Sequence, residues 1–273
     1  MDLLHFMAAP VLMCFLLVGL HVTLGLHVVR RGVIFVDIAL AQTSALGAGI
    51  GVALGIEVGT MHSGLMGLGL ALVAAWLISL TRAHSDKVPQ EAFIGITYVF
   101  AAAATILVLA RLPHGGEDIE RLLVGQILWV NWRSVLHTAV LYAALGGLFH
   151  LVRGPITLLT DDPARARAEG LRTAWWDFVF YAILGVVVTW SVQIAGVFLV
   201  FTFLVVPAVM ATLLSTTHRL LLGWILGAVI AAAGAGISYA FDLPTGATIV
   251  CAFGVCLAVL AAFSALWTKK TAG

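Results

Sequence analysis

Asp37 is the one charge among the 25 residues between Arg31 and Glu57. Its surroundings, VDIALAQTSALGAGIG, are otherwise apolar, small or uncharged. A charged carboxylate at the centre of a membrane helix costs on the order of 2.5–3.5 kcal/mol on insertion scales. Asp37 is therefore expected to face a bundle interior or a wet path, where it can meet a polar or cationic partner. Gln42 and Ser44 follow on the same stretch and are the other candidate path-lining groups. Five residues separate Asp37 from Gln42, which puts them about 140° apart on a regular helix. They would share a face only through a single-turn π-bulge, which closes i to i+5. Ser44, two turns on, shares the face of Asp37. Two plainer roles stay open: Asp37 as the ion-pair partner of Arg30, Arg31 or a neighbouring helix, and Gln42 as an interhelical hydrogen bonder.

Nine histidines invite a metal reading. His62, beside Met61, and His114 are expected near one membrane face, where they would be placed to receive an ion. His21 and His27 fall inside the first apolar run, six apart and on different faces, as packing or hydrogen-bonding residues. No GxxxxGK[ST], HExxH or paired-cysteine pattern occurs, so the chain carries no phosphate loop, metalloprotease site or cysteine metal site of these kinds. Catalytic residues are expected to be absent, and the chemistry is that of passage rather than bond change. Cys14, Cys251 and Cys256 all lie in apolar runs, as small packing residues.

The elements that must hold these groups are membrane helices. The composition is 62% hydrophobic and 10% charged, with mean hydropathy +1.11, against roughly a quarter charged residues in soluble domains. The net charge of +1 and the lack of a separate basic patch argue against nucleic acid as a partner. Nine spans fit: Ala8–Val29, Val33–Gly55, Met61–Leu80, Glu91–Ala110, Ser134–Val152, Trp175–Val192, Ala195–Ser215, Leu220–Phe241 and Pro244–Trp267. The expectation is an all-α, polytopic transmembrane bundle in which residues 1–273 form a single domain. Gly47, Gly51 and Gly55, at i, i+4 and i+8, give the second span a face on which another backbone packs closely. With the N-terminus outside and the C-terminus in the cytoplasm, eleven of the 14 lysines and arginines fall on the cytoplasmic side, as the positive-inside tendency requires.

Two connecting segments have structure of their own. Glu117–Trp132 has helical spacing broken near Gly125 and is expected to pack on the outer mouth. In Thr160–Thr173, TDDPARARAEGLRT, an aspartate precedes Pro163 as N-cap and first-turn proline, and Gly170 supplies the stop. A short helix over Ala164–Glu169 is predicted on the cytoplasmic side.

The chain resembles the permease subunits of the ATP-binding-cassette importers for zinc and manganese, the ABC-3 metal transporter permeases. The resemblance is carried, in order, by RRGVIFVDIALAQTSALGAGIG, by EAFIGITYVFAAAATILVL with LLVGQILWVNW, by ARAEGLRTAWWD with QIAGVFLVFTFLVVPAVMATLL, and by YAFDLPTGATIV. It implies a type II importer permease fold in a bacterial cytoplasmic membrane. It also implies a second permease copy, separate ATPase subunits and an extracytoplasmic metal-binding protein as partners. Ala164, Arg165, Arg167, Glu169, Gly170 and Leu171 would form the ATPase coupling helix, and Pro207 would break the seventh span. No cofactor would be resident: zinc or manganese would be cargo, and ATP would act only through the partner. The family's Asp-x-x-Ser-His pattern is not kept, since Gln42 stands at the histidine position and Asp37 one residue early. Carboxylate and amide oxygens suit manganese better than zinc. The alternative is a secondary transporter or channel driven by an ion gradient, although no internal half-repeat supports it.

Overall fold

The computed structural model describes residues 3–57, 60–82, 88–110 and 124–271. Among them the fold is all-α, with nine helices: α1 (Leu3–Arg31), α2 (Val36–Ala53), α3 (Met61–Thr81), α4 (Gln90–Leu109), α5 (Trp132–Asp161), α6 (Pro163–Ala168), α7 (Thr173–Leu214), α8 (Arg219–Ala240) and α9 (Thr245–Thr271). A single 3-10 turn, Ile127–Trp129, precedes α5. Eight of these helices are long and apolar enough to cross a membrane.

One of the eight crosses twice. The 42 residues of α7 contain Gly196 at φ 76°, ψ 162°, which is not helical. Asp177 pairs with Arg31, and a Cβ on Gly25 would overlap the Leu204 carbonyl. Both partners lie on the last two turns of α1. A straight helix would hold Asp177 and Leu204 about 40 Å apart at about 1.5 Å per residue. The chain therefore reverses at Gly196, and the two arms return the crossing count to the nine predicted. Glycine is required there because a side chain disfavours φ near +76°. The carbonyl of Ile194, freed by the reversal, accepts a hydrogen bond from the Gln126 backbone N–H at 3.1 Å. Gly125, at φ 71°, lies so close to Ala195–Gly196 that a Cβ would collide with their backbone. Gly125→Ala is expected to lower stability by about 2 kcal/mol or more, from the positive φ and the collision together. An unchanged melting midpoint of the detergent-solubilised chain would contradict this packing.

Several boundaries differ from the sequence expectation. Helix α1 runs on through Arg30 and Arg31, past the expected end at Val29, and Gly32 at φ 67° makes the turn into α2. The second span is shorter than Val33–Gly55 because Leu54 caps it. The Gly55 and Ile56 N–H groups bond back to the Val52 and Gly51 carbonyls at 2.9 and 3.0 Å, a Schellman stop. Pro207 does not break its span: the second arm of α7 is helical through it, and the break is at Gly196.

The interior is built from α1, α2 and α7. Leu17, Val28, Leu40, Phe180, Val187 and Phe203 are all inaccessible, while α4, α5 and α9 keep much of their apolar surface outward, as lipid-facing helices do. We call the end carrying Arg31, Arg82 and α6 the basic end, and the end carrying Gly55, Gly125 and Gly196 the far end.

Candidate functional site: a buried carboxylate and an uncharged groove

Asp37 sits in the first turn of α2 and is wholly inaccessible. Neither carboxylate oxygen receives a hydrogen bond from a described residue. The ion pairs open to it go elsewhere: Arg30 binds Asp161 at 3.1 Å and Arg31 binds Asp177 at 2.8 Å. In the same core the Tyr142 hydroxyl shares a 2.5 Å hydrogen bond with Ser191. The Tyr142 ring lies 6.1 Å from that of His21, centroid to centroid. His21 is also inaccessible; its Nδ1 is 2.7 Å from the Leu17 carbonyl, and its Nε2 has no partner among the described residues. His21, Tyr142 and Ser191 thus form a polar layer in the core between α1, α5 and the first arm of α7.

Gln42 looks the other way. With Ile38 and Ala45 it lines a cavity of about 440 Å³, closed by Tyr98, Ala102 and Thr105 of α4 and by Phe198, Phe201 and Thr202 of the second α7 arm. A second hollow of about 790 Å³ shares Ile38 and Tyr98 and continues past Ala92 to Phe35, at the basic end. Together they make a groove along α2 and α4. Its polar groups are an amide, a phenol and threonine hydroxyls; among the described residues no carboxylate or imidazole lines either hollow. The Thr105 and Thr202 hydroxyls donate to the Ala101 and Phe198 carbonyls, both at 2.8 Å, leaving their oxygens free to accept.

Asp37 and Gln42 accordingly do not meet. Helix α2 is α-helical throughout, with no π-turn to rotate one residue onto the face of the other. Ser44 is buried against α3, where a Cβ on Gly67 would stand 2.9 Å from its hydroxyl. A Cβ on Gly47 would stand 2.5 Å from the Met66 carbonyl oxygen, and one on Gly51 3.1 Å from the Met66 sulfur. Gly55, past the helix end, has nothing within 4 Å. His62 is exposed on the first turn of α3, and His114 lies outside the described residues. Among the described residues no group of three or more His, Cys, Asp or Glu is arranged to hold a metal ion. Tyr98, Thr105 and Thr202 were not singled out from the sequence. The available signal was the spacing of Tyr98, Ala102 and Thr105 at i, i+4 and i+7, which puts a polar stripe on one face of α4.

At the basic end, α6 is capped on both sides. The Asp162 side chain accepts from the Arg165 N–H at 2.9 Å, and Pro163 opens the helix. Gly170, at φ 79°, and Leu171 donate to the Arg167 and Ala166 carbonyls, both at 3.0 Å. Ala166 is buried, whereas Ala164, Arg165, Arg167, Glu169 and Gly170 lie on the surface to differing degrees, and Arg165 pairs with Glu169 at 2.7 Å.

A family model described as the ABC 3 transport family matches residues 4–265. The chain belongs to the ABC 3 transport family. Relatives of this ABC 3 chain include a manganese transport system membrane protein, MntB, of Synechocystis, 27% identical over 67% of this chain and 59% of that one. A probable iron transport system membrane protein of Haemophilus influenzae is 25% identical over 85% and 80% of the two chains. Among solved structures, PsaBC from Streptococcus pneumoniae superposes with a TM-score of 0.78 at 21% identity, covering 94% and 91%. A putative metal-chelate type ABC transporter, in an inward-facing conformation, gives 0.70 at 19% identity, covering 95% and 88%. These two likenesses show that the chain shares their all-α fold.

Proposed function

We propose that this chain is the membrane permease of an ATP-driven importer for a divalent metal ion, with manganese or iron favoured over zinc. The observation that carries the reading is the family match over nearly the whole chain, joined to a doubly capped connector, α6, at the end richest in arginine. Residues 1–273 act as one transmembrane domain, with the N-terminus outside and the basic end in the cytoplasm. Two copies form the pathway, α6 seats on a separate ATPase, and an extracytoplasmic binding protein delivers the ion. Gln42 faces the path; Asp37 is the nearest acid on the same helix. Exposed Met61 and His62 stand at the mouth, and His114, outside the described residues, stays the other candidate to receive the ion. The amide and hydroxyl oxygens that line the groove near Gln42 and the names of the relatives support the harder ions. Family membership and the lack of a half-repeat weigh against a gradient-driven carrier. In proteoliposomes holding chain, ATPase and binding protein, manganese uptake is expected to require ATP and the binding protein together. Uptake indifferent to both would overturn the reading.

A further inference from the structure

Both helices flanking α6 are bound to the same two arginines. Asp177, in the second turn of α7, is wholly buried. It accepts from Arg31 Nη1 at 2.8 Å and, through both oxygens, from Arg82 Nη1 at 2.9 Å. On the other side of α6, the last turns of α5 hold the same arginines. Arg31 Nε donates to Thr160 Oγ1 at 2.8 Å and its Nη2 to the Ile156 carbonyl at 3.2 Å. Arg82 Nη2 reaches the Leu159 carbonyl at 3.4 Å. The Arg31 guanidinium also lies over the Phe180 ring, 4.2 Å from its centroid.

The sequence positions of the arginines matter. Arg31 is the last residue of α1, one short turn before α2, and Arg82 is the C-cap of α3. That turn is itself fixed to α4, because the Phe35 N–H donates to Glu91 Oε1 at 3.0 Å. An exposed ion pair stretches and re-forms at little cost. A buried one, with its remaining donors also satisfied, cannot lengthen without leaving an uncompensated charge. Such a cluster moves as a unit.

We infer that the Arg31–Asp177–Arg82 cluster is the joint that carries displacement of α6 to α2 and α3, and so to the groove. Asp177 and Arg82 are positioning residues for transport, acting through α2 rather than on the ion. The inference rests on the reading of α6 as the ATPase seat.

Its test is the ratio of manganese imported to ATP hydrolysed, in proteoliposomes of the full assembly. Arg82→Met is the variant of choice, since it leaves the more buried Arg31–Asp177 pair intact; Asp177→Asn is the harsher second. Arg82→Met is expected to lower the ratio about tenfold while the ATPase still co-purifies, and Arg82→Lys is expected to restore most of it. Arg30→Gln, which breaks only the exposed pair with Asp161, leaves the ratio at the wild-type value. A normal ratio in Arg82→Met overturns the joint. So does a proportionate fall of uptake and hydrolysis, which a purely structural role would give. Wild-type uptake that ignores ATP would instead refute the importer reading itself.

Discussion

Asp177→Ala is expected to destabilise the chain by about 3–5 kcal/mol, the usual cost of removing one partner from a buried ion pair. The size follows from what is left behind. Arg31 has a side chain only 1% exposed, with Asp177 as its sole anionic contact among the described residues. Arg82 loses the same partner at 2.9 Å. Two guanidiniums would then face each other across a site without a carboxylate, with Thr160 and two carbonyls as their remaining acceptors. Arg31 is cut off from water, with Phe180 and Tyr181 inaccessible beside it, whereas Arg82 keeps part of its side chain exposed and suffers less. Burying charge costs much more than burying an apolar group of similar size, so Arg31→Met together with Asp177→Leu is expected to recover a large part of the loss. Thermal unfolding in detergent, followed for the single and double variants, separates the two effects. A single-variant loss below about 1 kcal/mol, or a double variant no better than the single, would mean that the cluster is not the buried node described.

The same cluster marks the limit of what the residue order discloses. Local spacing made α6 legible to within a residue, Pro163–Ala168 against the expected Ala164–Glu169: an aspartate N-cap, a first-turn proline and a stop glycine are all local signals. Hydropathy made nine crossings legible too, including the two arms of α7, whose apolar runs are interrupted around Gln193. Tertiary pairing was another matter. Arg31 and Asp177 are 146 residues apart, and Arg82 and Asp177 are 95 apart. No periodicity links them, so Arg31 was open as a partner for the nearer Asp37. The reversal at Gly196 hid for a related reason. Its φ depends on Gly125 and Gln126, which dock from a distant segment, whereas Pro207 is a visible helix breaker that the packed arm tolerates. The 140° separation of Asp37 and Gln42 needed only regular helix geometry, and α2 keeps it.

That separation sets up the second large effect, in which stability and transport move in opposite directions. Asp37 is a carboxylate with no access to water and no hydrogen-bond donor on either oxygen among the described residues. Removing an unsatisfied buried polar charge relieves a cost rather than creating one. Asp37→Asn keeps the shape and removes the charge, but its amide is left as poorly bonded as the carboxylate, so the gain is the charge's share alone, expected at about 1 kcal/mol. A residue that weakens the fold persists where activity needs it, and an intramembrane acid is a functional residue by default. Manganese uptake by the reconstituted assembly is therefore expected to fall at least about tenfold in the same variant. The two readings of Asp37 give different signs. A carboxylate that merely packs α2 against its neighbours would leave uptake near the wild-type level, and the amide would melt no higher than the acid. A carboxylate kept for the ion would give a chain that is harder to unfold and slower to transport. Melting midpoint and uptake, measured on one preparation, decide between them, and unchanged uptake would remove Asp37 from the pathway while leaving Gln42 and the groove in place.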